Sequence, residues 1–302
     1  MKLLVIIVTY NAMQWAERCF DSLRKSTLRP DVFVVDNGST DGTQDFIRKK
    51  YPQVIFNQSS ENLGFGKANN MGIQYALDYN YDYIYLLNQD AWVMPDTFEY
   101  LISISKLHPE YGILSPFQMN EGMIQIDAYF IERTLSWKSN PNIFNDIYNN
   151  HYNDVYPVEW VMASHWFMTR ECVLTVGGFS PSFPHYGEDD NYVDRLNYWG
   201  FKVGVVPQLR VVHDRGWRED SDLKKMYLAY TSSIRSISNP MNKTYKSIMV
   251  IIIVCVMNSR RYKSIKPFLY LIKIFKNLNT LIKNKKDSTN KKCAFTDNNK
   301  SI

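Results

Sequence analysis

The chain opens on an unbroken apolar run, Leu3–Val8, and then changes period. From Trp15 to Lys25 the apolar positions recur at helical spacing, Val32–Val35 is continuous again, Thr43–Lys50 reads as a helix and Val54-Ile55-Phe56 as a short strand. Continuous short apolar runs mark buried strands, whereas recurrence every three to four residues marks a helix with one buried side. After Asn62-Leu63-Gly64-Phe65-Gly66, the residues Ala68, Met71, Ile73 and Ala76 fall at near-helical spacing within Lys67–Tyr79, and Tyr83–Leu87 returns to strand. Strands and helices in alternation predict an α/β fold with a mostly parallel central sheet and helical crossovers.

From about residue 115 to 157 the text is rich in Asn, Tyr and turn residues without a clean period, which predicts irregular structure with some strand. Pattern returns with Val158–Thr169 as a strand, then Arg170–Val176 as a short helix ended by Gly177-Gly178. Tyr192–Trp199 is an amphipathic helix stopped by Gly200, and Lys202–Val206 and Leu209–His213 are two strands on either side of Pro207.

Length and charge add a second part to this picture. The 302 residues, 45% apolar, suffice for one sizeable core and an appendage. The net charge of +5 hides an asymmetry: residues 241–302 carry 14 Lys/Arg against Asp287 and Asp297, while in residues 1–240 acids outnumber bases by 28 to 21. We therefore expect a catalytic domain over 1–240 and a basic amphipathic tail over 241–302 that meets an anionic surface. The tail's apolar run Ile248–Met257 is ten residues long, short of the roughly 20 that span a bilayer. Beyond it, Tyr262–Lys286 interleaves Ile, Leu, Phe and Tyr with Lys, as an interfacial helix does. Peripheral attachment to the inner face of the cell membrane is the expectation. Nucleic acid is disfavoured as a partner, because it would leave the tail's apolar residues in water. Cys19, Cys172, Cys255 and Cys293 are scattered, with no C-x-x-C pair, as in a reducing, cytoplasmic compartment. The opening run ends at Thr9-Tyr10-Asn11 without a small-residue cleavage site, and so reads as a first strand rather than a signal peptide.

Polar residues cluster where the strands end, at Asn11, Asp36-Asn37-Gly38 and Asn88-Gln89-Asp90, and in open α/β sheets ligands bind beyond those ends. Asp36, after a strand and before a glycine turn, can accept hydrogen bonds from a nucleobase or a ribose, although the same triplet also serves as plain turn chemistry. Asp90 is a candidate ligand for Mn²⁺ or Mg²⁺, hard cations that take carboxylate oxygens and bridge diphosphates, and His213 at another strand end is a candidate second ligand. Glu188-Asp189-Asp190 crowds three acids at a helix start. Such a cluster either offsets the helix dipole or supplies a general base, for which Asp189 is the first choice, Asp190 the alternative and Glu188 a supporting group. Trp160, Ser164, His165 and Trp166 are candidates to stack on and hydrogen-bond an acceptor sugar, or else belong to the core.

In this order and spacing the segments resemble glycosyltransferase family 2, with its GT-A fold, and most closely its rhamnosyltransferase-like branch. The resemblance rests on Val8-Thr9-Tyr10-Asn11, Val35–Gly42, Asn62–Gly72, Leu87–Asp90, Gly177-Gly178-Phe179, Gly187-Glu188-Asp189 and His213, over residues 1–215. It implies an inverting transfer of a sugar from a dTDP or UDP carrier to a glycan or lipid-linked acceptor in cell-surface polysaccharide synthesis. It also implies that Thr9, Asn11, Asp36, Asn62, Gly64, Lys67, Asn69 and Asn88 line the nucleotide-sugar site, that Asp90 and His213 hold the metal and that Asp189 is the base. Two positions depart from the family pattern. Asn88 replaces the first acid of the D-x-D motif, and Asn191 stands where a further acid is common. These are the grounds for the alternative reading, a catalytically decayed scaffold of a polysaccharide assembly complex. A dinucleotide-binding dehydrogenase is excluded, because Thr9-Tyr10-Asn11-Ala12-Met13 holds no glycine where that fold needs a glycine-rich turn.

Overall fold

The computed structural model describes residues 1–135, 140–216, 220–290 and 292–296. Positions 136–139 of the stretch expected to be irregular, and 291 and 297–302 of the tail, lie outside the described residues. The first half follows the predicted alternation: β1 (Leu3–Thr9), α1 (Met13–Arg24), β2 (Asp31–Asp36), α2 (Thr43–Lys50), β3 (Ile55–Gln58), α3 (Phe65–Asp78) and β4 (Tyr83–Asn88). Successive side chains of β1 point to opposite faces of the sheet. Leu4 and Ile6 pack with Ala68, Ile73 and Ala76 of α3, while Val5 and Ile7 pack with Ala16, Cys19, Phe20 and Leu23 of α1. Helices therefore cover both faces, which is why β1 carries no polar alternation. Gly72 sets the depth of α3, since a Cβ there would lie 2.6 Å from a methyl of Ile6.

Next come β5 (Ala91–Trp92), α4 (Thr97–Leu107), β6 (Tyr111–Met119), α5 (Ala128–Arg133), α6 (Ile143–Tyr148), β7 (Tyr156–Val158), β8 (His165–Thr169), α7 (Arg170–Val176), α8 (Glu188–Tyr198) and β9 (Lys202–His213). The sheet order is β3-β2-β1-β4-β8-β6-β9-β5, with β7 on β9. The expected parallel pairing holds from β3 to β4, and β6 pairs parallel with β9, but β8 runs antiparallel between β4 and β6.

Three local expectations change. The stretch from 115 begins inside β6, a strand buried at every position, whose signal is interrupted by Pro116. Only its ends, Tyr156–Val158 and His165–Thr169, make strands of the apolar run up to Thr169, because buried irregular backbone and buried strand look alike without a period. The two strands around Pro207 are one, β9, whose pairing with β6 jumps from Val206 to Arg210 and so bulges out the proline that cannot donate to the ladder.

The tail forms three helices rather than one: α10 (Thr244–Tyr262), α11 (Lys266–Lys276) and α12 (Leu278–Asn290), packed with α9 (Asp222–Ser238). Their shared core is Phe183, Tyr230, Ile234, Ile237, Ile251, Ile274 and Leu281. Among the described residues no helix is long and apolar enough to cross a membrane.

Candidate active site

The carboxyl ends of β1 and β2 meet in register, Thr9 opposite Asp36. Asp36 is fully buried, and its carboxylate accepts from Thr9 Oγ1 at 2.8 Å, Ser39 N at 2.9 Å, Ser39 Oγ at 2.6 Å and Gln44 Nε2 at 2.8 Å. Four donors occupy its oxygens, so Asp36, Thr9 and Ser39 tie the carboxyl ends of β1 and β2 to the following loop. Asn11, in the left-handed region at φ 50°, ties the loops together by accepting from Thr40 N and donating its own N–H to Ser39 Oγ. The free atom is one residue on: Asn37 is 3% exposed and its Oδ1 is buried without a partner. Sequence reading passed over Asn37 because the charged neighbour drew attention, although Asp36-Asn37-Gly38 already contained it.

Asn62 Oδ1 accepts from Gly64 N at 2.9 Å, and Asn37 Nδ2 approaches Gly64 O at 3.4 Å. Gly64 has φ 78°, and a Cβ there would lie 2.6 Å from Pro184 O, so glycine alone lets this loop press against the segment leading into α8. Lys67 is exposed on the first turn of α3. Asn69 is buried and donates to Phe65 O within its own helix, while Asn70, not singled out before, grips both the N–H and the carbonyl of Phe179. The start of α3 and the segment leading into α8 are thus locked together. Asn88 ends β4 half-buried, its N–H donating to Ser164 O.

Asp90 and His213 come together through the short ladder of β5 and β9, in which Ala91 pairs with His213 and Asp214 N donates to Asp90 O. The Asp90 carboxylate lies 3.7 Å from His213 Nε2. Burial depresses the imidazole to about 4, so it is neutral and carries a lone pair, and its Nδ1 is buried with no hydrogen-bond partner. The nitrogen that faces Asp90 is Nε2, and a neutral imidazole nitrogen beside a carboxylate would suit a divalent cation. Among the described residues no group of three or more His, Cys, Asp or Glu is placed to hold a metal ion.

The acids of α8 divide by their partners. Arg235 of α9 holds Asp194 through two bonds of 2.8 Å and Asp190 at 2.5 Å, so the alternative base is engaged in an ion pair. Asp189 accepts from Asp190 N at 2.8 Å, and burial, then the Asp190 charge, raise it to about 7. Its residue keeps partial exposure although dense protein surrounds the carboxylate. Glu188 is buried, with Oε2 unpartnered, and burial and the Asp189 charge push it to about 8. Asn191 accepts from Arg195 Nε at 3.2 Å, and this fully buried guanidinium also holds the carbonyls of Val176 and Gly178. Asn191 therefore serves the packing behind the site.

All four acceptor candidates are buried in the core, and in three of them the side-chain polar groups are satisfied. Ser164 donates to Gln118, His165 bridges Tyr85 OH and Val212 O with both ring nitrogens, and Trp166 donates to Val161 O while stacked on Phe179. All three are buried with those polar groups satisfied, which removes them from any cleft wall. Trp160 differs: it is 8% exposed, its Nε1 lacks a partner and Arg133 lies over its ring at 5.1 Å.

The sheet order, with helices on both faces and a helical C-terminal region, is that of a GT-A glycosyltransferase. The sequence matches Glycosyl transferase family 2 over residues 4–163, and the chain belongs to that family. It is 29% identical over 233 residues to the N-acetylglucosaminyl-diphospho-decaprenol L-rhamnosyltransferase of Mycobacterium tuberculosis, covering 70% of this chain and 75% of that one. An O-antigen chain rhamnosyltransferase of Salmonella typhimurium is 35% identical over 92 residues, 30% of this chain and 29% of the other. The fold matches S. aureus TarS 1-349 in complex with UDP-GlcNAc at a TM-score of 0.56 and 13% identity, over 96% of this chain and 84% of that one. It also matches GalNAc-T7 with UDP, GalNAc and Mn2+ at a TM-score of 0.55 and 15% identity, over 80% of this chain and 50% of that one. Both curated relatives are named rhamnosyltransferases, and sugar transfer is the activity of the family to which the chain belongs.

Proposed function

We propose that this chain is an inverting, metal-dependent transferase that moves a sugar, by preference a deoxyhexose, from a dTDP or UDP carrier onto a lipid-linked glycan. The meeting of Asp90 with His213, remote in sequence and 3.7 Å apart in space, carries this reading. Asp90 and His213 would hold Mn²⁺ or Mg²⁺, which when bound neutralises charge on the departing diphosphate. Asn37 Oδ1 is the acceptor for a base or ribose donor, supported from beneath by Asp36 and Thr9. Asn88 offers a neutral oxygen to the ribose or the sugar.

Asp189 accepts the proton of the acceptor hydroxyl as that oxygen bonds to the anomeric carbon. The bond from that carbon to the diphosphate oxygen breaks, and the nucleotide diphosphate leaves with the electron pair. Asp190 and Asp194, fixed by Arg235, orient α8 for this step. One displacement inverts the anomeric centre, so NMR of the product formed from an axially linked nucleotide sugar is expected to show the equatorial glycoside. An axial product would contradict a single displacement by the acceptor.

Peripheral membrane attachment at the cytoplasmic face belongs to the same reading. It is supported by exposed Met249, Ile253 and Met257 on α10 and Phe268, Leu269 and Ile272 on α11, among the lysines and arginines of the tail. Asp at both 253 and 269 is expected to lower partition of the full chain onto anionic vesicles about tenfold or more, since each removes a buried aliphatic side chain from the bilayer boundary. Unchanged flotation of that double variant would remove α10 and α11 as the attachment face.

A further inference from the structure

A second group of residues, of which only Trp160 stood out in the sequence, surrounds Tyr129 in the first turn of α5. The Arg133 guanidinium lies 5.9 Å from the Tyr129 ring and 5.1 Å from the Trp160 ring, and the Arg215 guanidinium lies over the Tyr129 ring at 4.4 Å. Arg133 is near the base: its Nη2 is 3.8 Å from Asp190 Oδ1, and its charge lowers the pKa of Asp189. It is not needed as the partner of Asp190, which Arg235 already holds at 2.5 Å, and its side chain is 44% exposed. Trp160 adds a buried N–H with no acceptor. Two guanidiniums stiffened on aromatic faces and an unsatisfied donor await an anion with several oxygens.

We propose that Arg133, with Arg215 and Trp160 Nε1, binds the diphosphate of the acceptor, which deepens and rests on the reading of the chain as a transferase to a lipid-linked sugar. Arg133 adjoins the residue next to the base, so the diphosphate lies about one sugar ring from the hydroxyl that Asp189 deprotonates. The acceptor it selects is a short, diphosphate-anchored saccharide rather than the distant end of a long neutral glycan. The donor also carries a diphosphate, so the test must separate the two sources.

Calorimetry with the full chain, loaded with Mn²⁺ and UDP or dTDP, compares two probes: a short-chain prenyl diphosphate-linked N-acetylhexosamine and the neutral alkyl glycoside of the same sugar. The wild-type chain is expected to prefer the diphosphate probe by about 10- to 100-fold, as charge-assisted hydrogen bonds allow. Arg133→Gln should erase most of that preference, Arg215→Gln part of it and Arg133→Lys least, all three with melting temperature and nucleotide affinity unchanged. Equal binding of the two probes by the wild type overturns the inference and leaves the transferase reading intact. Loss of nucleotide affinity in Arg133→Gln, with the probe preference kept, assigns the cation to the donor and overturns it too. A wild-type chain that binds neither nucleotide nor probe sinks both.

Discussion

Asp189→Asn is expected to lower kcat by about 10²- to 10⁴-fold, the usual contribution of a general base, with nucleotide binding retained. Asp190 and Asp194 are committed to Arg235, whereas Asp189 has a carboxylate pushed up to about 7 by burial and by the neighbouring Asp190. Raised this far, it makes a stronger base than an ordinary aspartate and must lose its proton before it can act, so kcat/KM should fall as pH drops through about 7. Stability runs the other way. Between the ordinary value of 3.8 and about 7 the unfolded chain has released this proton while the folded chain retains it, so the raised pKa costs stability as pH rises across that window. The asparagine variant should therefore match or exceed the wild-type melting temperature at pH 8, with a smaller advantage at pH 4. A variant that kept its kcat would pass the role of base to another group.

The second large effect is expected at the metal pair. Asp90→Ala and His213→Ala should each weaken Mn²⁺-dependent nucleotide binding by more than about 10- to 100-fold, a loss seen even for groups that only support a metal ligand. The double variant should lose little beyond either single one, because both act through one ion. Strictly additive losses would mean that the two residues touch the nucleotide separately.

How much of this was legible beforehand depends on what each residue does. β1 to β4 were legible because helices cover both faces of their sheet and leave continuous apolar runs. β6 was not, because Pro116 stands inside it, and α5 was not, because its six residues are too few to show a period. Arg133 and Trp160 went unread as a pair for that reason: tertiary packing, not spacing, brings them together. Charged residues at strand ends and at a helix start were visible as chemistry; the structure brings Asp90 beside His213 and leaves Asp189 outside the Arg235 ion pairs. The same habit overrated Asp36, whose charge is consumed by four protein donors, and overlooked the neutral Asn37 beside it. His165 and Trp166 show the converse: polar and aromatic groups in a strand satisfy one another in the core as readily as they meet a sugar. The tail's charge was plain in the sequence, but its breaks into three helices depend on Lys263, in the left-handed region at φ 46°, and on packing against α9.

The most direct measurement is a calorimetric titration of UDP and dTDP into the purified chain with Mn²⁺ and with EDTA, beside Asp90→Ala. The account predicts binding of one of these nucleotides that disappears with EDTA and with the substitution alike. Binding indifferent to both, or no binding of either nucleotide under any condition, would contradict a metal-dependent donor site at Asp90 and His213.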